Sequence, residues 1–318
     1  MKPKISVIIC TYNRADNLKD LLECFLIQDL KEAYEIIVID NNSRDDTKGM
    51  VKSFEPKFQG KLRYFFEPRQ GKPFALNLGI KEAYGEIIAF TDDDCLIGKN
   101  YLTNVYRAFQ KYGDGTGVVG GKIAARWVNG GKPGWFVDLK PGWWFENFFY
   151  GPLGILDYGD KPFVIDFTQG IHTEGLFYGA NICIRKEMLE RYGYFNPEKV
   201  LTQDTEICLR LFRAGVKGAY VPDIIVHHKI NVGKITPHYY YRWYFLRGTL
   251  LEVQQNYKGR FYHPFGIRWE FIALTVRLWV NSMFTLTLGN KVYLRSHAMF
   301  NLGQMAQIAK KQQIKKGL

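Results

Sequence analysis

Three consecutive carboxylates, Asp92, Asp93 and Asp94, directly follow an apolar run that ends at Phe90 and Thr91. At a separation of about 4 Å and an effective dielectric constant of about 20, two carboxylates repel each other by roughly 4 kcal/mol. A positive group must therefore lie beside them, or their pKa values must rise. Carboxylate oxygens are ligands that Mg²⁺ and Mn²⁺ prefer, so a bound divalent cation is the first candidate.

Alternating strand and helix patterns surround this triplet through the first 125 residues. Strands are predicted at five apolar runs, "KISVIIC", "YEIIVID", "KLRYFFE", "EIIAFT" and "TGVVGGKIAA". Four helices are predicted. The first is Asn17–Leu26, and the second begins after a capping box formed by Ser43 and Asp46. The third is "PFALNLGIKEAYG", closed by Gly85, and the fourth is Tyr101–Tyr112. This alternation predicts an α/β fold, a mostly parallel sheet flanked by helices.

Polar clusters stand where three of the predicted strands end: Thr11 to Arg14, Asp40 to Ser43, and Asp92 to Asp94. In sheets of this kind, ligands bind outside the carboxyl ends of the strands. We therefore expect the three clusters to meet in one crevice.

The remainder of the chain changes character twice. Residues 126–175 are dense in glycine, proline and tryptophan, which indicates a subdomain or a mobile lid. "FYGANICIRKEMLERYG", "LTQDTEICLRLFRAG" and "KGAYVPDIIVHHKI" then predict a strand with a helix, a second helix and a β segment. Because successive strand side chains face opposite ways, one of His227 and His228 should point into the crevice. The last eighty residues are expected to be helical.

Composition bounds the functional class. The chain has 318 residues, 47% hydrophobic and 23% charged, as expected of a folded globular protein. Its net charge of +12 favours acidic partners such as nucleotides, phosphorylated lipids, nucleic acid or an anionic membrane. Five cysteines without a C-x-x-C pair indicate reduced core thiols, and neither a signal peptide nor a membrane span is expected.

The order of the polar motifs is more specific than any one of them. "TYNR", "DNNS", "RQGKPFALNLG", "TDDD", "GANICIR", "QDTEICLRL" and "VHHK" follow one another from about Ile5 to Ile230. This pattern resembles the inverting, nucleotide-sugar-dependent glycosyltransferases of family two, which have the GT-A fold. The resemblance implies a catalytic domain at 1–232, with a nucleotide-sugar half at 1–125 and an acceptor half at 126–232. A helical extension at 233–318 would follow.

The resemblance also assigns site residues. Donor-binding residues would be Thr11, Tyr12, Asn13, Arg14, Asp40, Asn42, Arg69, Lys72, Asp92 and Asp93. Mn²⁺ or Mg²⁺ would be held by Asp94 and His228. The general base would be Asp204, although Gln203 stands where the family usually has a glutamate. Acceptor-binding residues would be Gly179, Asn181, Trp143 and Trp144.

Each assignment has a structural alternative. Asp40 suits a helix-capping turn, Asp204 suits the first turn of a helix, and a lone histidine such as His228 is often structural. "GAN" would then be a tight turn, and the two tryptophans would be ordinary core residues.

We expect an enzyme that moves a sugar, from UDP by family precedent, to an acceptor hydroxyl with inversion, in polysaccharide or glycolipid assembly. A nucleotide- or glycan-binding protein that has lost turnover is the alternative, and Gln203 is its support. A nucleic-acid binder is disfavoured because no recognised motif accompanies the basic residues. A nucleotidyltransferase is disfavoured because "TYNRAD" lacks a Gly-rich, Lys-containing loop.

The C-terminal part, Tyr239 to Leu318, combines an aromatic cluster "HYYYRWYFLRG", short apolar segments and a basic tail from Lys310. These features are typical of interfacial helices and predict peripheral binding to an anionic membrane surface, at its cytoplasmic face. The alternative is packing against the catalytic domain or, in a homo-oligomer, against a second subunit. Arg242 and Arg247 could reach the donor diphosphate in either case.

Overall fold

The computed structural model describes residues 2–113, 115–136, 151–171, 176–198, 203–250, 269–285 and 287–315. The chain divides into two compact units. The first comprises Met1–Arg126 and Gly154–Lys229, and the second comprises Trp127–Leu153 and Ile230–Leu318. The predicted domain boundary after residue 232 stays a prediction.

Within the described residues, nine strands form one sheet. They are β1 (Ile5–Thr11), β2 (Tyr34–Asp40), β3 (Leu62–Phe66), β4 (Ile87–Asp92), β5 (Cys95–Ile97), β6 (Thr116–Val128), β7 (Phe163–Ile165), β8 (Ile182–Arg185) and β9 (Lys217–Asn231). The helices of the first unit are α1 (Ala15–Leu26), α2 (Thr47–Phe58), α3 (Lys72–Glu82), α4 (Tyr101–Tyr112), α5 (Lys186–Tyr192) and α6 (Gln203–Arg213).

The strand order is β3-β2-β1-β4-β8-β6-β9-β5, with β7 beside β9. The first four strands are parallel, and β8, β5 and β7 pair antiparallel with their neighbours. Thr11 lies opposite Asp40, and Cys10 lies opposite Asp92. The predicted α/β class is confirmed, and the polar strand ends meet at one edge of the sheet.

Apolar side chains explain why these elements form. β1 and β2 are almost wholly buried, as expected of parallel strands covered on both faces. α1 buries Leu18, Leu21, Leu22 and Phe25 on one face, the set that its spacing predicts. None of the five cysteines is disulfide-bonded, and three of them are buried.

Two details of the predicted helices are wrong. α2 begins at Thr47 without a side-chain cap, and Ser43 Oγ instead accepts a hydrogen bond of 2.9 Å from the Asn13 main-chain N–H. α3 ends at Glu82 rather than at Gly85. Gly85 meets a different need, because a Cβ there would lie 2.5 Å from the Ser6 main-chain nitrogen.

The second unit contains α7 (Pro237–Leu250), α8 (Trp269–Met283) and α9 (Leu288–Lys315). Within it, α7 and α9 approach closely, since a Cβ at Gly248 would lie 2.2 Å from the Phe300 carbonyl oxygen. Tyr240 and Tyr244 of the aromatic cluster are buried. These two residues therefore serve packing within the second unit, and the predicted place of the cluster at a membrane surface stays a prediction. No helix in the described ranges is long and apolar enough to cross a membrane.

Candidate active site

The loops after β1, β2 and β3 are joined by main-chain hydrogen bonds at the strand ends. Asn41 N–H donates to the Thr11 carbonyl, and Glu67 N–H donates to the Asp40 carbonyl, each at 2.9 Å. The Asn41 side chain extends this connection, because its Oδ1 accepts from Gly71 N–H at 2.8 Å and its Nδ2 donates to the Arg69 carbonyl at 2.7 Å. Sequence reasoning missed Asn41, although its place between two assigned residues was a usable signal.

Asp40 lies buried at the end of β2. Its Oδ1 accepts a hydrogen bond from Ser43 N–H at 2.8 Å, and its Oδ2 accepts one from the Tyr64 hydroxyl at 2.8 Å. Burial and then this carboxylate raise the pKa of Tyr64, which keeps the phenol protonated as the donor. The turn role of Asp40 is thus present in the structure, and its contact with a nucleobase stays a prediction.

The turn after β1 presents an aromatic ring next to a fixed amide. Asn13 has a left-handed backbone with φ of 52°, and its Oδ1 accepts from Arg44 N–H at 2.7 Å. Asn42 is left-handed as well, with φ of 69°. The Tyr12 ring is exposed beside this pair of loops. A flat base could therefore stack on Tyr12 without displacing a buried group.

Each carboxylate of the triplet has a cationic partner from a distant element. Asp92 forms an ion pair with Lys72 at the start of α3. Arg14 lies 3.0 Å from Asp93 Oδ1 and 2.7 Å from Asp94 Oδ2. His228 Nε2 lies 3.1 Å from Asp94 Oδ1. The repulsion among the three carboxylates is therefore offset in part by the protein's own cations.

The pKa values of Asp93 and Asp94 are shifted in opposite directions. Burial raises the pKa of Asp93 to about 6, although Arg14 and a 2.8 Å hydrogen bond from the Thr11 hydroxyl oppose the shift. Burial also acts on Asp94, but His228 and then Arg14 outweigh it and lower its pKa to about 2. Asp94 is thus held as a carboxylate at neutral pH, which a metal ligand requires.

The residues around Asp94 fit a divalent cation. Its buried Oδ1 has His228 Nε2 at 3.1 Å as a neighbour and no further hydrogen-bond partner within the described part of the chain, so a second lone pair is left for another partner. Pairing of β5 with β9 sets Cys95 opposite His228, and this register turns His228 toward Asp94 while His227 is exposed. Among the described residues, no three His, Cys, Asp or Glu side chains are grouped to hold a metal ion. Asp94 and His228 would therefore share a cation with water and substrate phosphate, as Mg²⁺ sites often do.

Asp204 lies in the first turn of α6, and main-chain donors fix its carboxylate. Gly179 N–H donates to Oδ2 at 3.0 Å, and Thr205 N–H donates to Oδ1 at 2.8 Å. A Cβ built on Gly179 would lie 3.8 Å from Lys72 Nζ and 3.9 Å from Asp204 Cβ. The predicted base, the "GAN" turn and the lysine that contacts the acidic triplet therefore share one side of the crevice.

The neighbouring acid of α6 is committed elsewhere. Glu206 Oε1 accepts from Arg210 Nε at 2.9 Å. Arg210 also donates to the carbonyl oxygens of Gly193 at 2.8 Å and Tyr194 at 2.7 Å. Glu206 is thus held in an ion pair with Arg210, and Asp204 stays the predicted base.

Asn181 and Arg69, predicted to bind acceptor and donor, both make hydrogen bonds within the protein. Asn181 is fully buried, donates from Nδ2 to the Lys122 and Ile224 carbonyls at 2.9 and 2.8 Å, and so favours a structural role over acceptor binding. Arg69 binds Glu67 through two hydrogen bonds of 2.8 and 2.7 Å, which lowers the pKa of Glu67. Trp143 and Trp144 lie outside the described residues.

Lys229 is a further residue that sequence reasoning did not single out. Its main-chain N–H donates to the Asp94 carbonyl at 2.8 Å, and its ammonium contacts Asp20 and Asn17 of α1. These contacts connect β9, the loop of the acidic triplet and α1. The sequence feature that could have drawn attention to Lys229 was its position directly after His228 in "VHHK".

Comparison with known sequences matches this chain to one family. The model of glycosyl transferase family 2 matches residues 6–176, more than half of the chain. Glycosyltransferase AglE of Haloferax volcanii is 26% identical over 227 residues, covering 71% of this chain and 67% of that protein. GalNAc(5)-diNAcBac-PP-undecaprenol beta-1,3-glucosyltransferase of Campylobacter jejuni is 40% identical over 94 residues, covering 29% of this chain and only 30% of that protein.

Solved structures share the fold. Mannosyltransferase PcManGT of Pyrobaculum calidifontis, in complex with GDP-Man and Mn²⁺, has a TM-score of 0.54 and 19% identity, covering 99% of this chain and 76% of that one. S. aureus TarS in complex with UDP-GlcNAc has a TM-score of 0.52 and 17% identity, covering 99% of this chain and 92% of that one. These likenesses establish a GT-A-like architecture.

Proposed function

The chain belongs to glycosyl transferase family 2, and from this premise we propose that it is an inverting, metal-dependent transferase that uses a UDP-sugar. The observation that carries the proposal is the crevice at the strand ends. It combines a carboxylate triplet, the cations Arg14 and Lys72, the histidine His228 and a main-chain-oriented aspartate in one place.

Donor binding is proposed to use the edge formed by β1, β2 and β4. Asp40 and the exposed ring of Tyr12 would receive the nucleobase, and Asp92 would contact the ribose. Arg14 and Lys72 already lie against carboxylates there, and their remaining N–H groups would orient the diphosphate. Arg69 would join them through the N–H groups that Glu67 leaves unused.

A cation held by Asp94 and His228 would compensate the charge that develops on the departing diphosphate. The feature of this chain that supports the assignment is the approach of His228 Nε2 to the buried Oδ1 of Asp94, 3.1 Å apart, which sets two ligand atoms side by side. Arg14 would then move its contact from Asp94 toward the diphosphate, since both bind its guanidinium through oxygen atoms.

Asp204 is proposed to take the proton from the acceptor hydroxyl. As this oxygen bonds to the anomeric carbon, the bond from that carbon to the diphosphate oxygen breaks, and the nucleoside diphosphate leaves. One displacement inverts the anomeric configuration. The N–H groups of Gly179 and Thr205 hold the carboxylate in one orientation, which favours proton transfer over side-chain rotation.

The acceptor is proposed to be a saccharide or a lipid-linked saccharide in polysaccharide or glycolipid assembly. The name of the C. jejuni relative refers to an undecaprenol-linked glycan, which supports this class. A peripheral place on the cytoplasmic face of a membrane belongs to the same proposal. The alternative, a binding protein without turnover, rests on Gln203, which is buried in the first turn of α6.

The experiment is a panel of UDP-, GDP- and dTDP-sugars tested by thermal shift with and without Mn²⁺. A ligand at about 100 times its Kd stabilises the folded state by about 2.7 kcal/mol, which is a shift of several degrees. A donor found in this way is then incubated with glycan acceptors, and NMR of the product reports the anomeric configuration. Retention of configuration would contradict the mechanism, and binding without turnover on any acceptor would favour the alternative.

A further inference from the structure

The helix α8, Phe284 directly after it and Leu288 at the start of α9 expose six large apolar side chains. Val276, Val280 and Met283, at spacings of four and three residues, share one side of α8. The exposed fractions are 80% for Phe284, 66% for Met283, 56% for Val276, 48% for Leu288, 47% for Leu274 and 43% for Val280. We call this group the α8 face. Singly exposed apolar residues are common on proteins, whereas several on one side of a helix suggest an interaction surface.

The opposite side of α8 buries two polar side chains. Thr275 and Ser282, seven residues apart and therefore on one side of the helix, are buried. Ser282 Oγ accepts a 3.2 Å hydrogen bond from Arg295 Nε of α9, and the Arg295 guanidinium lies 5.3 Å from the centre of the Trp279 ring. Ser282 and the partly buried Trp279 thus contact α9, whereas Val276, Val280 and Met283 face outward together with Arg277 and Asn281. A surface helix that faces only water buries its apolar residues and exposes its polar ones.

Charge in the sequence around this face is nearly all of one sign. Residues 233–318 hold thirteen lysines and arginines against two acids, a net +11 out of the +12 of the whole chain. From Trp269 to Lys315 the single acid is Glu270. Arg277 lies exposed on α8 next to Val276. Apolar side chains and a large excess of cations over acids are the combination that interfacial helices use on anionic lipid.

We propose that the α8 face docks on an anionic lipid surface, with Phe284 and Met283 among the acyl chains and Arg277 at the headgroups. The proposal deepens the peripheral location given above and rests on that proposed function. The surface proposed to contact lipid is the α8 face and not the aromatic cluster of α7, in which Tyr240 and Tyr244 are buried.

Two other occupants fit the observations less well. A second copy of the chain would bring two segments of net +11 together, and their repulsion would oppose association. A nucleic acid would use the cations but would leave the Leu, Val, Met and Phe side chains of the face without apolar partners. The lipid surface satisfies both the charge and the apolar side chains.

The test is co-sedimentation of the full chain with vesicles of phosphatidylcholine alone or with about 30 mol% phosphatidylglycerol. The test variant carries Val280→Ser and Phe284→Ser. Ile27→Ser is the matched control, because Ile27 is an apolar residue 64% exposed in the first unit. Loss of two large apolar side chains from the interface should weaken binding at least about tenfold, with the control unchanged. Arg277→Gln should weaken binding about fivefold, on the anionic vesicles alone.

Equal vesicle binding by the double variant and the parent would overturn the proposal, and so would a parent that binds no vesicle at low salt. A concentration-dependent dimer of the parent that the double variant loses would assign the face to a second copy instead. Binding to an RNA oligonucleotide in preference to vesicles would assign it to nucleic acid. Nucleotide-dependent thermal shift is measured on every variant. If it is absent in the parent while vesicle binding persists, the transferase proposal fails and the docking surface stands.

Discussion

Asp204→Asn separates the chemical role of this aspartate from its structural one. The carboxylate accepts hydrogen bonds from the N–H groups of Gly179 and Thr205. Asparagine keeps one acceptor and turns an N–H₂ group toward the other donor, which costs about 1–3 kcal/mol for the hydrogen bond lost. Removal of the charge near the N-terminus of α6 costs about 0.3–1 kcal/mol more. We expect the free energy of unfolding to fall by about 2 kcal/mol, or about 4–8 °C in Tm.

The effect on transfer should be much larger than this structural loss. Without a general base, sugar transfer should fall by about 10² to 10⁴, while calorimetry with nucleotide and Mn²⁺ should give nearly the same Kd. The assay is release of nucleoside diphosphate in the presence of acceptor, at a temperature where the variant remains folded. A parallel loss of nucleotide binding would show that the variant perturbs the donor site and not the base.

Glu206→Gln is the matched control, since it removes a carboxylate from the same helix. Glu206 forms an ion pair with Arg210 that is partly exposed, so its loss should cost no more than about 1 kcal/mol and leave transfer nearly unchanged. The reasoning is refuted if Glu206→Gln abolishes transfer and Asp204→Asn does not.

Three further changes test other parts of the account. Arg14→Gln frees the acidic triplet from its own cation, so Mn²⁺ affinity without nucleotide should rise by about fivefold in a calorimetric titration; weaker Mn²⁺ binding would mean that Arg14 supports the site. Gly121→Ala sets a Cβ 2.0 Å from a neighbouring carbonyl oxygen and should lower the free energy of unfolding by about 3 kcal/mol or more in urea, whereas Gly115→Ala meets open space and should not. A hydrogen bond from Thr168 lowers the pKa of Asp166 below its ordinary 3.8, so this acid stabilises the fold above that pH and loses the effect as pH falls through its folded pKa. Asp166→Asn should thus destabilise at pH 7, with a difference that shrinks in urea unfolding below about pH 4; a constant difference would contradict the linkage.

The long elements could be predicted because local pattern decides them. β1, β2 and β4 are buried apolar runs, and the apolar positions of α1 recur at helical spacing, so no knowledge of distant partners is needed. The three-residue strands β5 and β7 were not predicted. They are too short to show a period, and each exists through its pairing with β9, more than fifty residues away.

The site residues could be found at strand ends, but their partners could not. Alternation indicated that one of His227 and His228 faces the crevice, and the pairing of Cys95 with His228 decided which one. The burial of Asn181 depends on carbonyl groups of β6 and β9, and the pairing of Arg69 with Glu67 depends on a tight loop. Such contacts follow from packing between elements, which spacing along the chain does not encode.

The central claim is that Asp94 holds a divalent cation together with the diphosphate of a nucleotide. It is tested most directly by calorimetric titration of UDP, and in parallel GDP, into the parent chain and Asp94→Asn, with Mn²⁺ and with EDTA. Asparagine keeps the shape of the side chain and removes its charge. The account predicts that the parent binds its nucleotide much more tightly with Mn²⁺ than with EDTA, and that Asp94→Asn loses this difference while remaining folded. Equal Mn²⁺ dependence in the two proteins would contradict it.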